Sequence, residues 1–360
     1  LLNFPKWVRA PDRCSNRWQG PATALSAVCS NLVICPMSDC EIVLRLNAMG
    51  DVLLTVPTLR AMTVRGIETH LVINSRWQQL ASFLPAKVHL FSGTGSLIRL
   101  ARELKSLNPG SVFDLQGKLA TIALRNLINA PITRSYQKRT IGEQFMALRR
   151  QYPLRLYDQR PVWQKYAETC GVEITTPDPS LILTDEYLLE CEKVFEAAGL
   201  QKKHYILIHP EASKPGKELP QAIIEHLQKD SPLPTALIGT AKSTVTVSGP
   251  HLDLRNRFEL YHLPGVIRHA AAVISSDSGP MHLARSVDTP LAAIFMQTCP
   301  SLGFAPVPGN NVLVLSKNLP CKPCSLHGQN DSCPEGHFAC RDLDPEQTTG
   351  QIYTFLQKFL

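Results

Sequence analysis

Glu41-Ile-Val-Leu-Arg-Leu46, then Asn47-Ala-Met-Gly50-Asp51, then Val52, is the stretch on which the reading of this chain turns. The first six residues form a short apolar run with β-branched content, the signature of a strand. From Val52 to Val64 the apolar residues return at helical spacing. Five residues between them make a tight loop. A strand that enters a helix through so short a loop belongs to alternating α/β architecture, with a parallel sheet covered by helices on both faces.

Outward from that unit the alternation continues. Leu71–Ile73, Val88–Phe91 and Val112–Leu115 read as strands, and Arg76–Leu84, Leu97–Leu107 and Leu119–Asn129 as helices. Ile174 to Leu183 carries two prolines and marks a linker. Beyond it come a helix over Asp185–Ala198, ended by Gly199, and the strand Tyr205–His209. Then follow Leu219–Gln228, Thr235–Ile238, Leu263–Ala272, Val273–Ser275, Met281–Val287, Leu291–Phe295 and Val312–Leu315, alternating again. A last helix, Pro345 to Phe359, closes the chain. At 360 residues the chain exceeds one ordinary core, so two α/β halves are expected with a cleft between them. In open parallel sheets ligands sit beyond the carboxyl ends of the strands, which directs the search for a site to the strand-to-loop junctions.

Composition sets outer limits. A hydrophobic share of 44% with 19% charged residues describes a globular chain rather than a disordered one. The longest apolar runs fall short of the roughly 18 residues a membrane-spanning helix needs. A net charge of +7 suits either a plain solvated surface or acidic ligands such as phosphates and sugar acids. Residues 1–39 hold Lys6, Arg9, Arg13 and Arg17 before a weakly apolar stretch, a superficial likeness to a signal peptide that Ser30 and Asn31 interrupt. The folded portion is expected to begin near Met37, with the preceding residues an upstream or disordered extension.

Three junctions carry candidate chemistry. Gly50 and Asp51 stand where the first strand meets its helix. Gly50 permits a close backbone approach or positive φ, and Asp51 serves either as a helix cap or as a group facing the cleft. Asp277-Ser278-Gly279-Pro-Met-His282 joins a strand to a helix whose first N–H groups suit a phosphate. Ser278 adds a hydroxyl, Gly279 clears the approach, and His282 lies one turn on. His209-Pro-Glu-Ala-Ser213-Lys214-Pro-Gly216-Lys217 places a hydroxyl and ammonium groups after another strand, which suits a pyrophosphate.

Arg45 to Met62 (RLNAMGDVLLTVPTLRAM) resembles the opening segment of the lipopolysaccharide heptosyltransferases, glycosyltransferase family 9. The Asp277–His282 turn resembles the D-[ST]-G-x-x-H signature of the same family, and Ser213 and Lys217 match its donor-phosphate positions. The resemblance implies a GT-B enzyme of two Rossmann-like domains with parallel sheets facing a central cleft. Residues 40–175 would bind the acceptor, 176–344 the nucleotide sugar, and 345–360 would form the closing helix. It implies an inverting transfer of heptose from ADP-heptose to a lipopolysaccharide core or lipid A–Kdo acceptor. Asp51 would be the general base, and Ser213, Lys217, Asp277, Ser278, Gly279 and His282 would hold the donor. The enzyme would work at the cytoplasmic face of the inner membrane, in peripheral contact with it and without nucleic acid.

One departure stands out. Relatives place a ribose-binding glutamate after the strand ending at Gly239, whereas this chain reads Thr240-Ala-Lys242-Ser243, without an acid to accept ribose hydroxyls. On the acceptor side, Asp114-Leu-Gln116-Gly117-Lys118 resembles the family's D-x-Q-G segment. With Gly50, Gln116 and Lys118, Arg139 supplies an acceptor-binding candidate in a basic stretch that also holds Arg134, Lys138, Arg149 and Arg150. Sugar-acid carboxylates, phosphates and an anionic membrane face all suit such a stretch. Cys321, Cys324, Cys333 and Cys340 have spacing that suits a closed structural zinc or iron site, with four reduced thiols as the alternative. The transfer itself requires no cofactor. Two further readings remain: a metal-binding sensor on a degenerate GT-B scaffold, and a transferase with a protein acceptor or another nucleotide sugar.

Overall fold

The structure is a computed structural model that describes residues 40–137, 158–240, 245–246, 251–328, 333 and 335–360. Arg139, Arg149, Arg150, Lys138 and Lys242 fall outside these, as do residues 1–39.

Two parallel sheets organise the chain. The first has the order β3-β2-β1-β4-β5, from Lys87–Phe91 (β3), Glu68–Asn74 (β2), Cys40–Leu44 (β1), Ser111–Asp114 (β4) and Ile132–Ser135 (β5). The second has the order β11-β10-β9-β6-β7-β8. Its strands are Val312–Ser316 (β11), Leu291–Phe295 (β10), Ala272–Ser276 (β9), Ile206–His209 (β6), Thr235–Leu237 (β7) and Leu252–Asp253 (β8). Strand order reverses between β1 and β4 in the first sheet and between β6 and β9 in the second. At such a reversal the crossover helices leave to opposite faces, opening a crevice at the carboxyl ends of the strands. The four candidate segments follow β1, β4, β6 and β9, two at each reversal.

The central strands are mostly apolar, because both faces of a parallel sheet are covered. Ile42, Val43 and Leu44 of β1, and Ala292, Ala293 and Ile294 of β10, are fully buried. One apolar cluster runs from Val52, Leu59 and Phe83 of the first half to Met281, Leu283 and Phe295 of the second, so the halves share a core. The stretch read as a linker is tied down within it. Leu181 N donates to Ser286 O at 2.9 Å, Ile182 N donates to Phe83 O at 2.9 Å, and Arg60 grips Ser180 O and Asp178. The closing helix packs Ile352, Tyr353 and Leu356 onto the second sheet's cluster with Ile223 and Leu227.

Several elements differ from the sequence expectation. The helix expected over Val52–Val64 is two helices, Met49–Leu53 (α1) and Val56–Val64 (α2). Pro57 has no N–H to offer the Leu53 carbonyl, which interrupts the ladder. Ser75–Phe83 winds as 3₁₀ turns, with Asn74 capping Arg76 N. The all-exposed edge strand β5 and the two-residue β8 lack the apolar run that marks a strand. The remaining helices that bear on the site are Leu119–Ile128 (α3), Val162–Thr169 (α4) and Gly279–Ser286 (α5).

Candidate active site

The Asp51 carboxylate is built into the first turn of α1. Its Oδ2 accepts the Ala48 N–H at 2.9 Å and forms an ion pair with Arg45 NH2 at 2.5 Å. The capping reading and the cleft-facing reading of Asp51 therefore describe one arrangement: the helix start holds one oxygen, and the side chain stays 18% exposed. Arg45, the residue after β1, is itself buried. Its NH1 donates to Leu115 O at 2.5 Å, and its guanidinium lies 5.5 Å from the centre of the Tyr166 ring on α4. Tyr166 is fully buried, and burial drives its phenol well above the usual range.

The β4 turn supports this loop from the side. Asp114 Oδ1 accepts the N–H groups of Gln116 and Gly117 at 2.9 and 2.8 Å, and Gln116 Oε1 accepts Asn47 N–H at 2.9 Å. Gln116 is thus a latch between the two turns of the first reversal, with its carbonyl already engaged. Lys118 projects into solvent at the start of α3.

On the second sheet, Lys217 Nζ lies 2.9 Å from Asp277 Oδ2, which also accepts Thr298 Oγ1 at 2.6 Å. The ion pair is largely buried and pins the ammonium at the end of β6. Ser213 lies exposed on the same loop. Ser278 Oγ sits 3.0 Å from His209 Nδ1 and 3.1 Å from Ser276 O, so this hydroxyl is held within the protein. Glu211 was missed from sequence and occupies a telling place. Its Oε2 accepts both Thr240 N and Thr240 Oγ1, at 2.7 and 2.8 Å. A carboxylate therefore does stand at the end of β7, where the sequence shows none, delivered from the end of β6. Its signal was the acid directly after His209-Pro.

The two reversals meet through glycines. A Cβ on Gly50 would stand 2.6 Å from His282 Cδ2, and a Cβ on Gly279 would stand 2.1 Å from the Met49 methyl. Gly50 has an ordinary negative φ, so the close approach explains the glycine and backbone freedom does not. Helices α1 and α5 thus dock directly. His282 is brought into the electrostatic reach of Asp277, Asp51 and Lys217. Burial lowers its imidazole to about 4, against the pull of both carboxylates, so the ring is neutral. His209 is likewise lowered to about 4 by burial.

The cysteines behave differently from expectation. Cys324 is pushed up to about 11 by burial, with Cys340, Cys321 and Cys333 adding to the effect. Burial acts to raise Cys333 too, but backbone N–H groups of residues 335–338 outweigh it and hold the thiol low. The four sulfurs are therefore neighbours, and Cys321 Sγ lies 4.0 Å from His337 Nε2. Among the described residues, however, no three His, Cys, Asp or Glu side chains converge closely enough to hold a metal ion. The expected tetrahedral site at Cys321, Cys324, Cys333 and Cys340 is not assembled, because a closed site needs four ligands about 2.3 Å from one point.

The Asp51 carboxylate, the pinned Lys217 ammonium and the open strand ends stand at the reversals of two parallel sheets. The model of glycosyltransferase family 9 (heptosyltransferase) matches residues 97–333, and the chain belongs to that family. Lipopolysaccharide heptosyltransferase 1 of Pseudomonas aeruginosa is 22% identical over 312 residues, covering 79% of this chain and 85% of that protein. The structure of a family 9 glycosyltransferase from Veillonella parvula superposes with a TM-score of 0.69 at 18% identity, covering 89% of this chain and 97% of that one. Escherichia coli ADP-heptose lipopolysaccharide heptosyltransferase II gives 0.68 at 16% identity, covering 88% and 98%. The fold is that of the GT-B heptosyltransferases.

Two outcomes are expected from this geometry. Gly50→Ala drives a Cβ into the packed His282 ring and should cost about 1–3 kcal/mol in a thermal or urea melt. Gly279→Ala meets only the swinging end of Met49 and should cost clearly less. Equal losses would argue against the α1–α5 contact. The buried histidines fix a pH dependence as well. Their folded values near 4 lie below the ordinary 6.5, so their contribution is complete above 6.5 and is lost as pH falls toward 4. Each histidine costs up to about 1.4 kcal/mol per pH unit in that window. Melts between pH 7 and 4.5 should show a flatter decline for His209→Gln than for the parent.

Proposed function

We propose that this glycosyltransferase moves heptose from ADP-heptose to a lipopolysaccharide inner-core acceptor, with inversion at the transferred carbon. The observation that carries the reading is the direct docking of α1 on α5. It sets Asp51, from the first sheet, beside His282 and the Lys217–Asp277 pair of the second. Asp51 takes the proton of the acceptor hydroxyl while its oxygen forms the new bond to the heptose carbon. The bond from that carbon to the diphosphate breaks, and ADP departs with the electron pair. Lys217 gives the diphosphate a compact cation, Ser213 a hydroxyl, and the start of α5 at Gly279 its unpaired N–H groups. Ser278 and Asp277 act behind them: Ser278 through His209, and Asp277 by pinning Lys217.

The acceptor occupies the first-sheet side, near Gly50, Gln116 and Lys118, with Arg139 among the cations that meet its anionic groups. Family membership and the likeness to the Escherichia coli ADP-heptose lipopolysaccharide heptosyltransferase support this donor and acceptor class. Peripheral attachment to the cytoplasmic face of the inner membrane belongs to the same reading. No helix among the described residues is long and apolar enough to cross a membrane.

Incubation of the purified chain with ADP-heptose and inner-core-truncated lipopolysaccharide tests the proposal. Transfer is expected, with Asp51→Ala lowering kcat by about 100-fold or more and leaving ADP binding unchanged by calorimetry. Lys217→Ala should weaken ADP binding about tenfold. Donor binding with no transfer to any acceptor would instead favour a binding module.

A further inference from the structure

We infer that Arg45 is a positioning residue for the transfer: it clamps Asp51 through Oδ2 and so leaves Oδ1 as the oxygen that meets the acceptor hydroxyl. This rests on the reading of Asp51 as the base. The atoms make the division. Oδ2 accepts both the Arg45 guanidinium at 2.5 Å and the Ala48 N–H at 2.9 Å, whereas Oδ1 has no hydrogen-bond partner among the described residues. Two donors on one oxygen fix the rotation of the carboxylate, so its other oxygen has one direction open to it.

Arg45 is built to hold that orientation. Its side chain is 5% exposed against 18% for Asp51, so the cation is the more deeply buried member of the pair and the carboxylate the more open one. The guanidinium is fixed at three points: Asp51, the Leu115 carbonyl beyond β4, and the face of Tyr166. Those contacts come from three separate segments of the first half, and together they remove the rotamer freedom a surface arginine would keep. Leu115 O and Asn47 N, the latter latched by Gln116, tie the β1 and β4 turns together on either side of Arg45. A lysine has one point of donation and no flat fork, so it can reach Asp51 or Leu115 O but cannot bridge them in this geometry.

The arrangement separates two tasks that a single carboxylate performs with difficulty. One oxygen is committed to structure and charge balance, and the other remains for proton acceptance. An unclamped Asp51 would share its rotations between the helix start and the cleft, and the fraction of molecules with the base aimed at the acceptor would fall. The loss would appear in kcat, since neither substrate is bound through Arg45.

A double-mutant cycle tests this on the full-length enzyme. Arg45→Gln, Arg45→Lys, Asp51→Asn and the double variant Arg45→Gln/Asp51→Asn are assayed for kcat, for acceptor KM and for ADP affinity by calorimetry. Arg45→Gln is expected to lose roughly 10- to 100-fold in kcat, with ADP affinity and acceptor KM within about twofold of the parent. Arg45→Lys, which keeps the charge, should recover part of that loss and also serves if Arg45→Gln fails to fold. In the Asp51→Asn background Arg45→Gln should cost nothing further, because the clamp has no base left to aim. Additive losses in the cycle, or an Arg45→Lys enzyme with full kcat, would overturn the inference. If Asp51→Asn itself keeps full activity, the assignment of the base has failed instead, and the two failures are read apart.

Discussion

The close packing of α1 against α5 is the contact on which the rest of this structure depends. Two parallel sheets, each with its crevice at a reversal of strand order, do not by themselves make a site. They become one when the helix leaving β1 lies on the helix leaving β9, with Gly50 under His282 and Gly279 under Met49. Glycine at position 50 is a steric requirement of that approach. The methyl group of an alanine at position 50 would drive into the packed His282 ring, whereas one at position 279 meets the movable end of Met49.

That contact also sets the electrostatics. It excludes water from His282 and leaves its ring neutral between the Asp51 and Asp277 carboxylates. Each carboxylate is then balanced by a cation of its own half: Asp51 by Arg45 and Asp277 by Lys217. Pairing of this kind matters because a buried charge left without a partner costs several kcal/mol. Both halves use the same device, a cation of the same half neutralising an acid beside the start of a helix. The result is two carboxylates, each neutralised by its own cation. An incoming diphosphate can then claim the ammonium without first displacing a net negative field.

Much of this could be read in the sequence because the determining residues are local. A strand, five loop residues and a helix announce the β1 unit, and the motifs at Asp51, Ser213–Lys217 and Asp277–His282 each lie within one such junction. What escaped depends on contacts between distant segments. Arg45 reads as one more residue of an apolar strand until Leu115 and Tyr166 are placed beside it. Glu211 reads as a spacer between His209 and Ser213 until Thr240 comes within reach of its carboxylate. The break before α2 was visible in Pro57, but helical periodicity across it masked the missing N–H. The cysteine spacing suits a metal site or four reduced thiols, and among the described residues no three such ligands converge. Sequence separation brings thiols into one region, but only backbone geometry can aim four of them at a point.

The neutrality of His282 has a consequence for the direction of charge flow in the proposed transfer. With its imidazole lowered to about 4 by burial, the ring is neutral at neutral pH in the free enzyme and is a poor source of a proton for the departing diphosphate. A diphosphate needs none: it leaves as an anion, and its developing charge is met by the Lys217 ammonium and the amides at the start of α5. In the proposed transfer the only proton movement is then on the acceptor side, to Asp51. Negative charge leaves on the donor side, and His282 keeps the two apart as an uncharged spacer. A charged imidazolium there would draw Asp51 toward itself in competition with Arg45 and blunt the base. The burial that keeps His282 neutral thus also preserves the orientation of Asp51.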